Sequence, residues 1–304
     1  MRLDETEGRD LVALATDADP AAREDACVEL ARRINRADLM IGILPMDATD
    51  AVVAGLAEAG RAGSARAWRE LGVCYLGTDG DRLPPADWPP AQPYADGTDH
   101  PHGRALRCFH EAAVLGDRDG AVLFAKASRD ASASAREAAR ELLRPHVRGD
   151  AAAGYQYGLL EQWLGNPGAA VEHHLRAAGQ DDADAAFELY VLFSTGTGVE
   201  RDFAEARRWL ERAADLGQHR ALYNMGAAHA TGDGRPQDMA LAVDFYERAA
   251  RAGNARAATT LGVMYLTGGG VDEDPGRAEE WLDLADDLGH PVDEWLDQLG
   301  LERP

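Results

Sequence analysis

An all-α chain, a solenoid of antiparallel helix pairs, is the fold class this sequence predicts, on three observations. Glycine recurs every 36 residues at Gly196, Gly232 and Gly268, and again at Gly198, Gly234 and Gly270. In the same register follow Asp202, Asp238 and Asp274; Ala206, Ala242 and Ala278; Trp209, Phe245 and Trp281; Ala213, Ala249 and Ala285; and Gly217, Gly253 and Gly289. Between these marks apolar residues return at three- and four-residue intervals, the spacing of amphipathic helices. A fixed period of this length is the signature of a stacked array rather than of a single globular core.

Each 36-residue unit reads as an Ala-rich helix that ends at the Gly-x-Gly and a second helix that runs from the Asp to the last Gly. A glycine just past the first helix can take the left-handed conformation that closes its last carbonyls, and the Asp can accept from the free N–H groups of the next helix. Asp202 with Glu205 makes a capping box, and Asp274-Pro275 puts proline where no N–H is needed. The pattern LGxxYxxGxGVxxDxxxAxxWxxxAAxxG, met most closely by Leu261, Gly262, Tyr265, Gly268, Gly270, Val271, Asp274, Ala278, Trp281, Ala285 and Gly289, resembles the Sel1-like repeat, a relative of the tetratricopeptide repeat. The resemblance covers 183–290 strongly and implies antiparallel helix pairs stacked into a right-handed superhelix.

Upstream, residues 65–117 carry ARAWRELGVCYLG and GRALRCFHEAAVLG, which match both helices but are separated by about 17 residues more than an ordinary connection needs. Residues 118–149 and 150–182 read as degenerate pairs without the Gly-x-Gly, the second with a tight turn at GNPG. The array is therefore expected over 65–290, with units at 65–117, 118–149, 150–182, 183–218, 219–254 and 255–290, an N-terminal helical cap at 1–64 and a C-terminal capping helix at 291–304. Units that contact mainly their neighbours are expected to form one elongated domain.

Composition narrows the function. A formal net charge of −22, from 53 acidic and 31 basic residues, argues against a nucleic-acid binder, because phosphate contacts need a positive face. The N-terminus MRLDETEGRD lacks a signal peptide's basic start and apolar core, and no run approaches the about 18 apolar residues of a membrane span. A cytoplasmic protein without membrane attachment is expected. Cys27, Cys74 and Cys108 are odd in number and far apart, so buried, reduced thiols are expected rather than disulfides or zinc.

Catalytic signatures are missing. GTGVER, GDGRPQ and GGGVDE lack the third glycine of a dinucleotide loop and follow helices rather than strands, and VDEDP lacks the ligand spacing of an EF-hand. HEAAV at 110–114 has Val114 where a zinc protease helix needs its second histidine, so His110 reads as a helix-surface residue. His173 and His174 are adjacent on a helix and point about 100° apart, which also suggests surface positions. His100 and His102, in Asp-His-Pro-His, are weak metal candidates on a loop. No metal and no cofactor is expected. The insertion 78–103 holds six prolines with Trp88 and Tyr94, which would anchor it if it docks on a partner or on the chain itself.

The groove expected from first helices is the remaining site. With Leu71, Phe124, Tyr157, Leu189, Met225 and Leu261 as equivalent core positions, residues two before, two after and five after should face it. That set holds Arg69, Lys126, Arg129, Tyr155, Gln162, Phe187, Tyr223 and Thr259, with Arg66, Arg220 and Arg256 at helix starts and Asn224 beside Tyr223. Arginine forks and tyrosine suit an acidic peptide or protein segment, whereas the acidic outer face suits a basic protein. The function expected is a non-catalytic protein- or peptide-binding scaffold or adaptor. The alternative is an acidic immunity or antitoxin-type protein that neutralises a cationic toxin or enzyme. An enzyme is disfavoured: the β-lactam binding connected with some Cys-rich Sel1-like proteins goes with paired cysteines absent here.

Overall fold

The computed structural model describes residue 15 and residues 20–35, 46–76 and 101–304, and every regular element among them is a helix. They fall into two compact units, 1–166 and 167–304, where one continuous domain was expected. The division lies at the GNPG turn, inside the pair expected at 150–182.

The first unit contains α1 (Pro20–Asn35), α2 (Met46–Arg61), α3 (Ala65–Leu76), α4 (Pro101–Val114), α5 (Arg118–Ala127), α6 (Ala133–Leu143), a 3-10 turn at Arg144–His146, and α7 (Ala151–Trp163). Leu30, Leu56, Leu71, Phe109, Phe124, Leu143 and Leu160 are wholly buried and form its core with Tyr75. Each contributes about 1.5–3 kcal/mol from area removed from water. The α3 and α4 helices pack closely, since a Cβ on Gly72 would lie 2.6 Å from the ring of Phe109. Much of the insertion, with Trp88, Tyr94 and His100, lies outside the described residues.

The second unit contains α8 (Pro167–Ala178), α9 (Ala183–Thr195), α10 (Phe203–Asp215), α11 (His219–Thr231), α12 (Met239–Arg251), α13 (Ala255–Thr267), α14 (Pro275–Asp287) and α15 (Val292–Leu299). Its first helices α9, α11 and α13 each end on a left-handed glycine, Gly196, Gly232 and Gly268. The backbone then folds back: the N–H groups of Asp202, Asp238 and Asp274 donate to the carbonyls of Phe193, His229 and Tyr265 at 3.0, 2.9 and 2.9 Å. The same aspartates cap α10, α12 and α14, accepting from Glu205, Leu241 and Arg277 N–H at 3.0 Å each.

The second loop glycine has a different task. Gly198, Gly234 and Gly270 sit against Pro167, Arg207 and Met239, so each seats on the second helix of the preceding repeat, on its first residue at Pro167 and Met239 and on the Arg207 guanidinium in the second turn of α10. Neighbouring first helices are tied as well. Gln218 donates through Nε2 to Asp184 at 3.2 Å, and Asn254 donates through Nδ2 to the His219 carbonyl at 3.1 Å. At the far end α15 buries Val292 and Leu296, and Arg303 reaches the carboxylates of Glu279, Asp283, Asp286 and Asp293.

Candidate partner-binding face

In the second unit the helical period and the stacking together choose which residues are left outside. Along α9, Ala185, Ala186, Leu189 and Leu192 are buried toward the core. The stripe that remains at least partly open is Asp184, Glu188, Val191 and Thr195. The 36-residue repeat places Arg220, Asn224, Ala227 and Thr231 on the same stripe of α11, and Arg256, Thr260, Val263 and Thr267 on that of α13. The result is a small lattice whose rows run across the three helices.

Two arginines in one row carry the distinctive chemistry. The Arg220 guanidinium lies over the Phe187 ring at 4.3 Å, and that of Arg256 over the Tyr223 ring at 5.3 Å. In each case an arginine of one repeat stacks on the aromatic residue of the repeat before it. Both arginines are exposed, and among the described residues neither has an ion-pair partner. Stacking on a ring face holds a cation in place without cancelling its charge. Tyr223 also meets Tyr246 of α12, with ring centroids 5.5 Å apart. Burial, with Tyr223 adding to it and Arg256 opposing, pushes the Tyr246 hydroxyl up to about 12, so it stays protonated at neutral pH. Asn224, one turn after Arg220 on α11, is half-buried.

The other expected groove residues are placed differently. Phe187 is 3% exposed and Thr259 1%, so these two present no surface to a partner. Phe187 lies under Arg220, and the Thr259 hydroxyl donates to the Ala255 carbonyl at 3.0 Å while lying 3.3 Å from His290 Nδ1. The reason is that each lies under an element that follows in the stack, Phe187 beneath Arg220 of α11 and Thr259 beside His290 ahead of α15. A residue opposite the core side therefore faces the next repeat rather than solvent.

In the first unit Arg66 and Arg69 are engaged in internal ion pairs. Arg66 pairs with Asp25 at 3.1 Å. Arg69 donates to Asp117 Oδ2 at 2.6 Å, with Glu70 at 3.4 Å, while Asp117 Oδ1 caps α5 through Gly120 N–H. Lys126 is exposed, Arg129 is exposed with Asp130 at 3.9 Å, and Tyr155 and Gln162 are half-buried on α7.

Two histidines depart from the surface positions expected for them. His174 is fully buried on α8, on the face formed by Ala170, Val171, Ala177 and Ala178, and burial, reinforced by His173, lowers its pKa to about 4. His110 is 8% exposed and packs edge-on against Phe124 with centroids 5.3 Å apart. His102 is exposed, with Nε2 3.0 Å from the Ala127 carbonyl oxygen, and among the described residues no cluster of three metal-ligating side chains forms. Cys27, Cys74 and Cys108 are buried and form no disulfide with one another, and burial raises the Cys27 thiol to about 11. No described helix is long and apolar enough to cross a membrane.

The Sel1 repeat family model matches residues 150–182, 183–218, 219–254 and 255–290. Among solved structures the chain is similar to a Sel1 repeat protein from Oxalobacter formigenes, at 30% identity over 57% of this chain and 70% of that one, with a TM-score of 0.47. It is also similar to a protective antigen with an SLR fold from uropathogenic Escherichia coli, at 19% identity over 97% of this chain and 61% of that one, TM-score 0.49. An immunity protein from Pseudomonas aeruginosa aligns at 16% identity over 91% of this chain and 85% of that one, TM-score 0.44. No curated protein matches the chain. Four tandem matches, the last three in the register of the 36-residue period, identify residues 150–290 as Sel1 repeats.

Proposed function

We propose that the chain is a non-catalytic protein- or peptide-binding scaffold that takes an acidic segment on the open face of α9, α11 and α13. The observation that carries this reading is the pair Arg220 on Phe187 and Arg256 on Tyr223, one repeat apart and without carboxylate partners among the described residues. Most arginines of the second unit do find an acid: Arg208, Arg212, Arg235, Arg248, Arg251, Arg277 and Arg303 are all ion-paired. In a chain of net charge −22, two held and uncompensated guanidiniums form a local attraction for carboxylate. Long-range repulsion from the rest of the chain opposes approach, but at 0.15 M salt the Debye length is about 8 Å and direct contacts outweigh it.

The test is a fluorescence anisotropy titration of the full chain with a labelled glutamate-rich peptide. Each exposed arginine–carboxylate pair contributes about 1 kcal/mol, and reversal of charge adds repulsion. Arg220→Glu with Arg256→Glu should therefore weaken binding by at least about tenfold. An unchanged affinity would reject the face. A cationic peptide that bound the wild type and the variant alike would place recognition on the acidic outer surface instead.

A further inference from the structure

The lattice on α9, α11 and α13 is not uniform in charge. The row nearest the helix starts reads Asp184, Arg220 and Arg256, and the next row reads Glu188, Asn224 and Thr260. All three residues of the first row are exposed, and each stands 36 positions from the next, so they occupy one register of three successive repeats. Asp184 is held by Gln218 Nε2 at 3.2 Å, while Arg220 and Arg256 are held on aromatic rings, so the sign of charge at each point is fixed in place.

Resting on the acidic-segment reading above, we infer that the face selects a segment by the order of its charges: one cation opposite Asp184 and two carboxylates opposite Arg220 and Arg256. Gln218 reaches Asp184 and Arg220 stacks on Phe187, so neighbouring first helices stand one helix diameter, roughly 10 Å, apart; an extended chain advances about 3.3 Å per residue, so one repeat corresponds to about three residues of ligand. The ligand is an extended segment with a basic residue at i and acidic residues at i+3 and i+6, or the same order read from the other end. Asn224 stands in the second row one turn after Arg220 on α11, where its carboxamide can both donate to and accept from the ligand backbone. Three exposed groups of fixed sign reject a wrong order by placing like charges together, which gives discrimination beyond the attraction of a single arginine.

The experiment uses the full chain and fluorescein-labelled peptides of equal length in anisotropy titrations. One peptide carries Arg, Glu and Glu at i, i+3 and i+6; a second carries Glu, Arg and Glu at those positions; a third carries three Glu. The first should bind at least about tenfold more tightly than the second, which has the same composition. Asp184→Arg should weaken the first peptide and make the third the tightest, with circular dichroism showing unchanged helix content. The milder Asp184→Asn should reduce the preference without inverting it. Equal affinity for the first and second peptides, with binding still lost in the Arg220→Glu, Arg256→Glu double variant, would overturn the charge order and leave the acidic-segment reading standing. Absence of binding by every peptide would overturn both.

Discussion

Burial decides what a side chain can do, and His174 is the residue where this has a measurable consequence. Its pKa in the folded chain is about 4, against an ordinary value of 6.5, because a buried imidazole resists charge. The folded state therefore stays unprotonated while the unfolded chain takes up a proton as pH falls below 6.5. Stability linked to this group is complete above pH 6.5 and is lost between 6.5 and 4. The loss is about 1.4 kcal/mol by pH 5.5 and about 3 kcal/mol in all. Urea unfolding of His174→Gln should show a shallower fall over that range, by about one proton's slope, than the wild type. Parallel pH profiles would show that His174 does not carry the effect. The adjacent pair His173-His174 gave no sequence signal for this. The signal was the alternative phase, Ala170, Val171, His174, Ala177 and Ala178, in which one imidazole falls on the apolar face.

At the scale of the element, each loop between paired helices is a stop, a seat and a start. In GGGVDEDP, Gly268 closes α13 at φ +66°, Gly270 seats on Met239 and Asp274 caps α14, while Gly269 has no such task. Gly268→Ala should cost about 1–2 kcal/mol, because an L side chain is strained in the left-handed region. Gly269→Ala should stay within about 0.5 kcal/mol. Equal costs in thermal or urea unfolding would contradict this division of roles. These corners were legible in the sequence because three copies could be laid side by side, which separated Gly268, Gly270 and Asp274 from the non-recurring Gly269 and Glu273. The open face was legible only in part. A helical period alone puts 187, 223 and 259 outward; in the stack Phe187 and Thr259 are buried while Tyr223 stays half-buried, and Glu188, Asn224 and Thr260, one step on, are half-buried as well. Asp184 stands 36 residues before Arg220, so its place on the face follows from the repeat alone.

Across the whole molecule, the two units use their charges differently. The first consumes Arg66 and Arg69 in internal pairs with Asp25 and Asp117, and the second leaves Arg220 and Arg256 open. A single period of 36 residues fixes both the stacking of the second unit and the register in which Asp184, Arg220 and Arg256 are exposed, which is what the proposed charge order rests on. What sets Arg220 and Arg256 apart from the other arginines of the second unit without an ion pair among the described residues, Arg176, Arg201 and Arg207, is that they occupy one register of successive first helices and each stacks on the aromatic residue of the repeat before it. The most direct measurement of the central claim is an exchange of charges across the interface. The Arg220→Glu, Arg256→Glu double variant should bind a labelled peptide in which lysines replace the glutamates at i+3 and i+6, and the wild type should prefer the glutamate peptide. If both proteins bound both peptides with the same affinity, this face would not be where the chain recognises its partner.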